Sequence, residues 1–110
     1  NPSSGIWAVV LTPDRLEAFT AKGDIVFSTK LKKSENYQLQ TFRFPENKIR
    51  FGISDPDGEQ VLLYDSKGNL RSGFPLYGHN PMAISDLNRD GYFNLVTTGK
   101  DGFVYSYAIE

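Results

Sequence analysis

Val61-Leu62-Leu63-Tyr64-Asp65-Ser66-Lys67-Gly68-Asn69-Leu70 lies over Leu16-Glu17-Ala18-Phe19-Thr20-Ala21-Lys22-Gly23-Asp24-Ile25 with no gap, at an offset of 45 residues. Each stretch reads as a short strand, a tight turn with glycine where φ must be positive, and a returning strand. A third, incomplete copy follows. Leu95-Val96-Thr97-Thr98-Gly99-Lys100-Asp101-Gly102 is a strand and turn, and Phe103-Val104-Tyr105-Ser106-Tyr107 corresponds to the strands at Leu16 and Val61. The chain is therefore an internal repeat.

The intervening segments read as strands and turns as well. Ile6-Trp7-Ala8-Val9-Val10-Leu11 is an apolar, β-branched run ended by Thr12-Pro13-Asp14, and its composition predicts a central, buried strand. Residues 30–36 form a polar surface connection. Residues 37–44 and 49–53 alternate with period two, and Asp55-Pro56-Asp57-Gly58 is a strong turn signal. Short strands recurring about every 40–50 residues are the signature of β-propeller blades, four-stranded sheets around an axis. The predicted fold is all-β, a partial β-propeller of about two and a half four-stranded antiparallel blades. The units run over about residues 5–47, 48–92 and 93–110. A closed ring takes about four to eight blades. The expectation is that upstream residues complete the ring, that chains associate, or that open blades expose an edge to other strands. A start on Asn1 without methionine agrees with a processed product or a piece of something longer.

Composition narrows the function classes. A 110-residue chain of net charge −1 has no global field to attract nucleic acid or an anionic membrane. The run Lys30, Lys32, Lys33 has no interleaved aromatics and suits protection of a strand edge better than nucleic-acid binding. No apolar run approaches the roughly 18 residues of a membrane span. The absence of cysteine excludes disulfides and thiolate metal sites while leaving the redox compartment open, and a single histidine argues against zinc.

One loop has ligand spacing. In Asp86-Leu87-Asn88-Arg89-Asp90-Gly91-Tyr92-Phe93-Asn94, side-chain oxygens fall at alternate positions before a glycine. Asp86, Asn88 and Asp90 would give side-chain oxygens, Tyr92 its carbonyl and Asn94 an amide oxygen, a set suited to calcium in a structural role. The first six positions match an EF-hand, but the twelfth is Thr97 instead of glutamate and the flanks are β-prone. The other reading is an Asx turn that satisfies its own backbone and binds nothing.

With Asp101-Gly102-Phe103-Val104-Tyr105 after it, this loop resembles the FG-GAP/VCBS repeats of integrin-α-like propellers. The hairpin Tyr64-Asp65-Ser66-Lys67-Gly68-Asn69 resembles quinoprotein-like propeller repeats. The resemblance implies a bacterial extracytoplasmic protein, periplasmic, cell-surface or secreted, with calcium bracing a loop between the outermost strand of one blade and the innermost strand of the next. Asn94 replaces the usual aspartate, and Phe44-Pro45-Glu46-Asn47-Lys48 has lost the ligand spacing, so one site is expected. Ending on two strands suggests, by the same analogy, the C-terminal part of a longer ring.

Other chemistry-bearing residues have plainer roles. His79, in Leu76-Tyr77-Gly78-His79-Asn80-Pro81, has no nucleophile motif or paired acid beside it and reads as a turn residue. Asp55, Asp57 and Glu59 are separated by proline and glycine and read as turn chemistry before acid–base chemistry. Trp7 and the Phe and Tyr residues could stack on a sugar, but alternation favours inter-blade core. Gly73-Phe74-Pro75 looks like a blade-closing turn. The expected function is a non-catalytic binding or scaffolding module, with no catalytic residues, whose rim loops contact a protein or glycan. The alternatives are the tail of a quinoprotein-type or polysaccharide-acting propeller enzyme with its active site upstream, and a self-associating structural unit.

Overall fold

The computed structural model describes residues 5–44, 48–79, 82–85 and 93–109. Among them there is no helix, and ten strands form three antiparallel sheets. β1 (Ala8–Leu11), β2 (Arg15–Phe19) and β3 (Ile25–Lys30) make the first sheet in that order. β4 (Gln38–Phe44), β5 (Lys48–Asp55), β6 (Gln60–Tyr64) and β7 (Leu76–Tyr77) make the second. The third has β9 (Phe93–Thr98) between β8 (Ala83–Ser85) and β10 (Val104–Ile109). No sheet closes on itself. Among the described residues no helix is long and apolar enough to cross a membrane.

The repeat is reproduced bond for bond. In the turn 20–24, the Thr20 N–H donates to the Asp24 carbonyl and the Gly23 N–H to that of Thr20. At 65–69 the Asp65 N–H donates to Asn69 and the Gly68 N–H to Asp65. Gly23 and Gly68 both hold positive φ, at 91° and 84°. The side chain of Thr20 accepts the Lys22 and Asp24 N–H groups, and Asp65 accepts those of Lys67 and Asn69. A hydroxyl and a carboxylate thus close the same turn, because each places one oxygen within reach of the next backbone donors.

The two cores lie on opposite faces of the second sheet. Leu16, Ala18 and Phe27 of the first sheet meet Ile49, Phe51, Ile53 and Tyr64 of the second. On the other face, Val61 and Leu63 meet Met82, Leu95 and Ile109. Burying each of the larger side chains contributes about 1.5–3 kcal/mol. Gly52 faces the second core, where a Cβ would stand 2.7 Å from Phe42 and 3.1 Å from the Met82 sulfur. Its bare backbone lets the third sheet approach. Met82 is anchored there by Gln40, whose amide donates to the Met82 carbonyl and accepts its N–H, both at 2.8 Å.

Aligning the hairpins on Leu11–Leu16, Ser54–Val61 and Thr98–Val104 shows equivalent faces. One face is Val9, Leu11, Leu16 and Ala18 in the first sheet, then Gly52, Ser54, Val61 and Leu63 in the second. In both it is covered by the following sheet. Its equivalent in the third sheet is Val96, Thr98, Val104 and Ser106, which is open, with Val104 67% exposed. The opposite face of the first sheet is open too, but polar at its centre. There Arg15 donates to Ser28, which donates to Glu17.

Three expectations change. β1 is an edge strand and β2 is central; the β1 run half-buries Val9 and Leu11 on one face and leaves Val10 exposed. β4 pairs with β5 and β8 with β9, so the sheets are offset by one strand from the sequence units. The two-residue β7 lies in the stretch read as a histidine loop.

Candidate functional site

Asp86, Asn88, Asp90 and Tyr92 lie outside the described residues. Asn94 is the second residue of β9, opposite Ser85 of β8 and Ala108 of β10. The register Ser85–Asn94 brings together the two ends of the ligand-bearing stretch. That stretch joins two hydrogen-bonded strands of one sheet, where the family resemblance implied a connection from one blade to the next. Among the described residues no cluster of three or more His, Asp or Glu side chains could hold a metal ion.

The acidic turn 55–59 is occupied by its own hydrogen bonds. Asp55 accepts from the Gly58 N–H at 3.1 Å and from the Gln60 amide at 3.1 Å. Asp57 accepts from Ser34 at 3.2 Å and from the Asn36 amide at 2.9 Å, tying the connection 31–37 to the β5–β6 hairpin. Beside them the Tyr37 hydroxyl donates to the Lys32 carbonyl. Burial, and secondarily the charge of Asp55, raises the Tyr37 phenol above its ordinary pKa. These carboxylates hold a turn together.

His79 uses its backbone N–H to reach the Thr98 carbonyl at 2.7 Å, linking the second and third sheets. Phe27, Phe44, Phe51 and Tyr64 are buried, as alternation predicts, but Trp7 is 72% exposed just ahead of β1 and belongs to neither core. Lys30 ends β3, an edge strand, in keeping with protection of that edge.

A cleft lies where the sequence suggested only a turn. Arg71, Ser72, Gly73 and Phe74 line it from the second sheet's return to β7, with Leu76 of β7 and Tyr107, Ala108 and Ile109 of β10, around about 490 Å³. Its near wall is fixed by backbone bonds: Arg71 N–H to the Leu63 carbonyl at 2.8 Å and Phe74 N–H to the Arg71 carbonyl at 3.2 Å. Its far wall is fixed by the Tyr107 hydroxyl, which donates to the Tyr77 carbonyl at 2.9 Å. Gly73 takes φ of 91°, which allows the sharp reversal before Phe74.

A second guanidinium lies close by. Arg50, 8% exposed in β5, stacks on Phe44 with its central carbon 4.3 Å from the ring centroid. Its pKa is lowered by burial first, then by repulsion from Arg71, with Asp65 opposing less strongly. The sequence signal at this cleft was the turn Gly73-Phe74-Pro75, which did not include Arg71 or Ser72. Nothing local showed that β10 would form its other wall.

Comparison with protein-family models, with curated proteins and with solved structures finds no match to this chain.

Proposed function

We propose that the chain is a non-catalytic scaffolding and binding module of an extracytoplasmic β-propeller, in which the open face of the third sheet takes a further antiparallel sheet of the same build. The observation that carries this reading is the equivalence of faces. The positions that two sheets use to bury their successor recur in the third as Val96, Thr98, Val104 and Ser106. This is a β-branched and small surface suited to sheet-on-sheet packing. The rim loops would then be presented to a protein or glycan. Calcium held by Asp86, Asn88, Asp90, Tyr92 and Asn94 would brace the β8–β9 connection without taking part in chemistry.

The test is solution mass over a concentration series, with a thermal melt in excess calcium and in chelator. The isolated chain offers its open face to a second copy, so reversible association is expected, abolished by Val104→Lys. Calcium raises the melting temperature of the parent chain and not of Asp90→Ala, because a ligand that binds only the folded form stabilises it by mass action. A strict monomer at all concentrations overturns the docking face. A melt indifferent to calcium overturns the metal loop.

A further inference from the structure

We propose that the chain pairs with a second copy of itself along the outer edge of β10, the exposed Phe103 of each copy entering the cleft beside β10 of the other. Among the described residues β10 pairs only with β9, in an unbroken register over residues 104–109. The Gly99 N–H donates to the Phe103 carbonyl at 2.9 Å, so Phe103 turns its backbone toward β9. Alternation then directs the N–H and C=O groups of Val104, Ser106 and Ala108 outward.

The equivalent groups in the other two sheets are taken up by the chain that follows. By the same alignment, Ser106 corresponds to Ala18 and Leu63, and Ala108 to Thr20 and Asp65. The Leu63 carbonyl accepts from the Arg71 N–H, and the Thr20 and Asp65 N–H groups donate to Asp24 and Asn69. The remaining edges also carry features that discourage pairing with another chain. β3 has a register shift where it meets Phe19 and ends on Lys30, β4 carries Arg43, and β1, β7 and β8 have four, two and three residues. β10 has six residues and no charge, proline or bulge.

This edge is self-complementary. By alternation Phe103, 68% exposed, shares the face of Tyr105, Tyr107 and Ile109, and the far end of that face adjoins the cleft walled by Phe74, Leu76, Tyr107 and Ile109. Antiparallel pairing centred on Ser106 sets Ser106 opposite its counterpart, Val104 opposite Ala108 and Phe103 opposite Ile109. One two-fold axis therefore satisfies the outward groups of both strands and seats both Phe103 rings against apolar walls. Six residues of edge and one ring per copy bury about 1,000 Å² in all, the low end for specific interfaces, so the dimer is reversible. A net charge of −1 per copy opposes it little. The inference does not rest on the propeller reading, whose docking surface is the open face of the third sheet and not its edge.

The test is sedimentation velocity of the whole chain over a concentration series, with hydrogen exchange at its two ends. Val104→Lys charges both the open face and this edge, so Val96→Lys, on the central strand β9, is the variant that separates them. It should still dimerise, and in the parent chain the Val104, Ser106 and Ala108 amides should gain protection as the dimer forms. Phe103→Ser should weaken the dimer by about tenfold or more. Because the chain has no cysteine, Ser106→Cys supplies a single thiol that oxidation should link across the axis. Hydrogen-bonded strand partners stand about 5.5 Å apart between Cα atoms, within disulfide reach. Ser28→Cys, on the polar face of the first sheet, should not link. The proposal is overturned by a Val96→Lys chain that is monomeric at all concentrations, by unchanged dimerisation in Phe103→Ser, by edge amides indifferent to concentration, or by Ser106→Cys linking no faster than Ser28→Cys.

Discussion

The Thr29 hydroxyl donates to the Gly68 carbonyl at 2.7 Å, joining an edge strand of the first sheet to the turn that repeats in the second. The approach is close enough that a Cβ on Gly68 would stand 2.5 Å from the Phe27 ring and 2.6 Å from the Thr29 oxygen. Gly68→Ala therefore meets a clash and a left-handed backbone together. A loss of about 2–4 kcal/mol is expected in chemical denaturation. Gly23→Ala shares the positive φ but has nothing within 4 Å, so it should cost only about 1 kcal/mol. Equal losses would sink the packing argument.

Ser54 is fully buried in β5 and its hydroxyl has no hydrogen-bond partner among the described residues. An orphan polar group in a core costs about 1–3 kcal/mol. Ser54→Ala should consequently leave stability unchanged or raise it by about 1 kcal/mol. A clearly lower melting temperature would show that the hydroxyl is satisfied in solution.

Gln40 replaces the strand partner that Met82 lacks. Gln40→Leu keeps the bulk but strands one N–H and one carbonyl, for an expected loss of about 2–4 kcal/mol. Hydrogen exchange should localise the damage, with the amides of β8 losing protection while those of β2 keep theirs. Uniform loss across both sheets would count against the anchor.

The β9–β10 hairpin carries a pH signature. The Tyr105 hydroxyl donates to Asp101 at 2.5 Å, holding the carboxylate below its ordinary pKa and pushing the phenol up to about 12. The raised phenol contributes stability that is complete below its ordinary value of about 10 and lost as pH rises through about 12. The lowered carboxylate contributes stability present above its unfolded value and lost as pH falls through the folded one. The melting difference between the parent chain and Tyr105→Phe should be greatest between about pH 5 and 9 and shrink toward both extremes. A difference independent of pH would refute the pairing.

Local chemistry was legible in the sequence. The hairpin turns with Gly23 and Gly68 at positive φ follow from glycine's lack of a Cβ, and the strand positions from period-two alternation. Pairing was less so, because which strands share a sheet is decided by long-range contacts. β1 is as apolar as a central strand but has one half-buried face, and β4 crosses to the sheet of β5. β7 is two residues long, below the reach of any periodicity. Of the calcium ligand set, the structure adds the register of Asn94 with Ser85. The Arg71 cleft was invisible because its walls come from residues some 35 positions apart.

β5 has a further consequence. Ile49, Phe51 and Ile53 serve one core while Gly52 and Ser54 line the other, and the strand is buried on both sides. Detaching either outer sheet would expose one face of this shared strand to water and leave the other packed. Outer strands can therefore loosen one at a time, whereas loss of β5 itself opens both cores together.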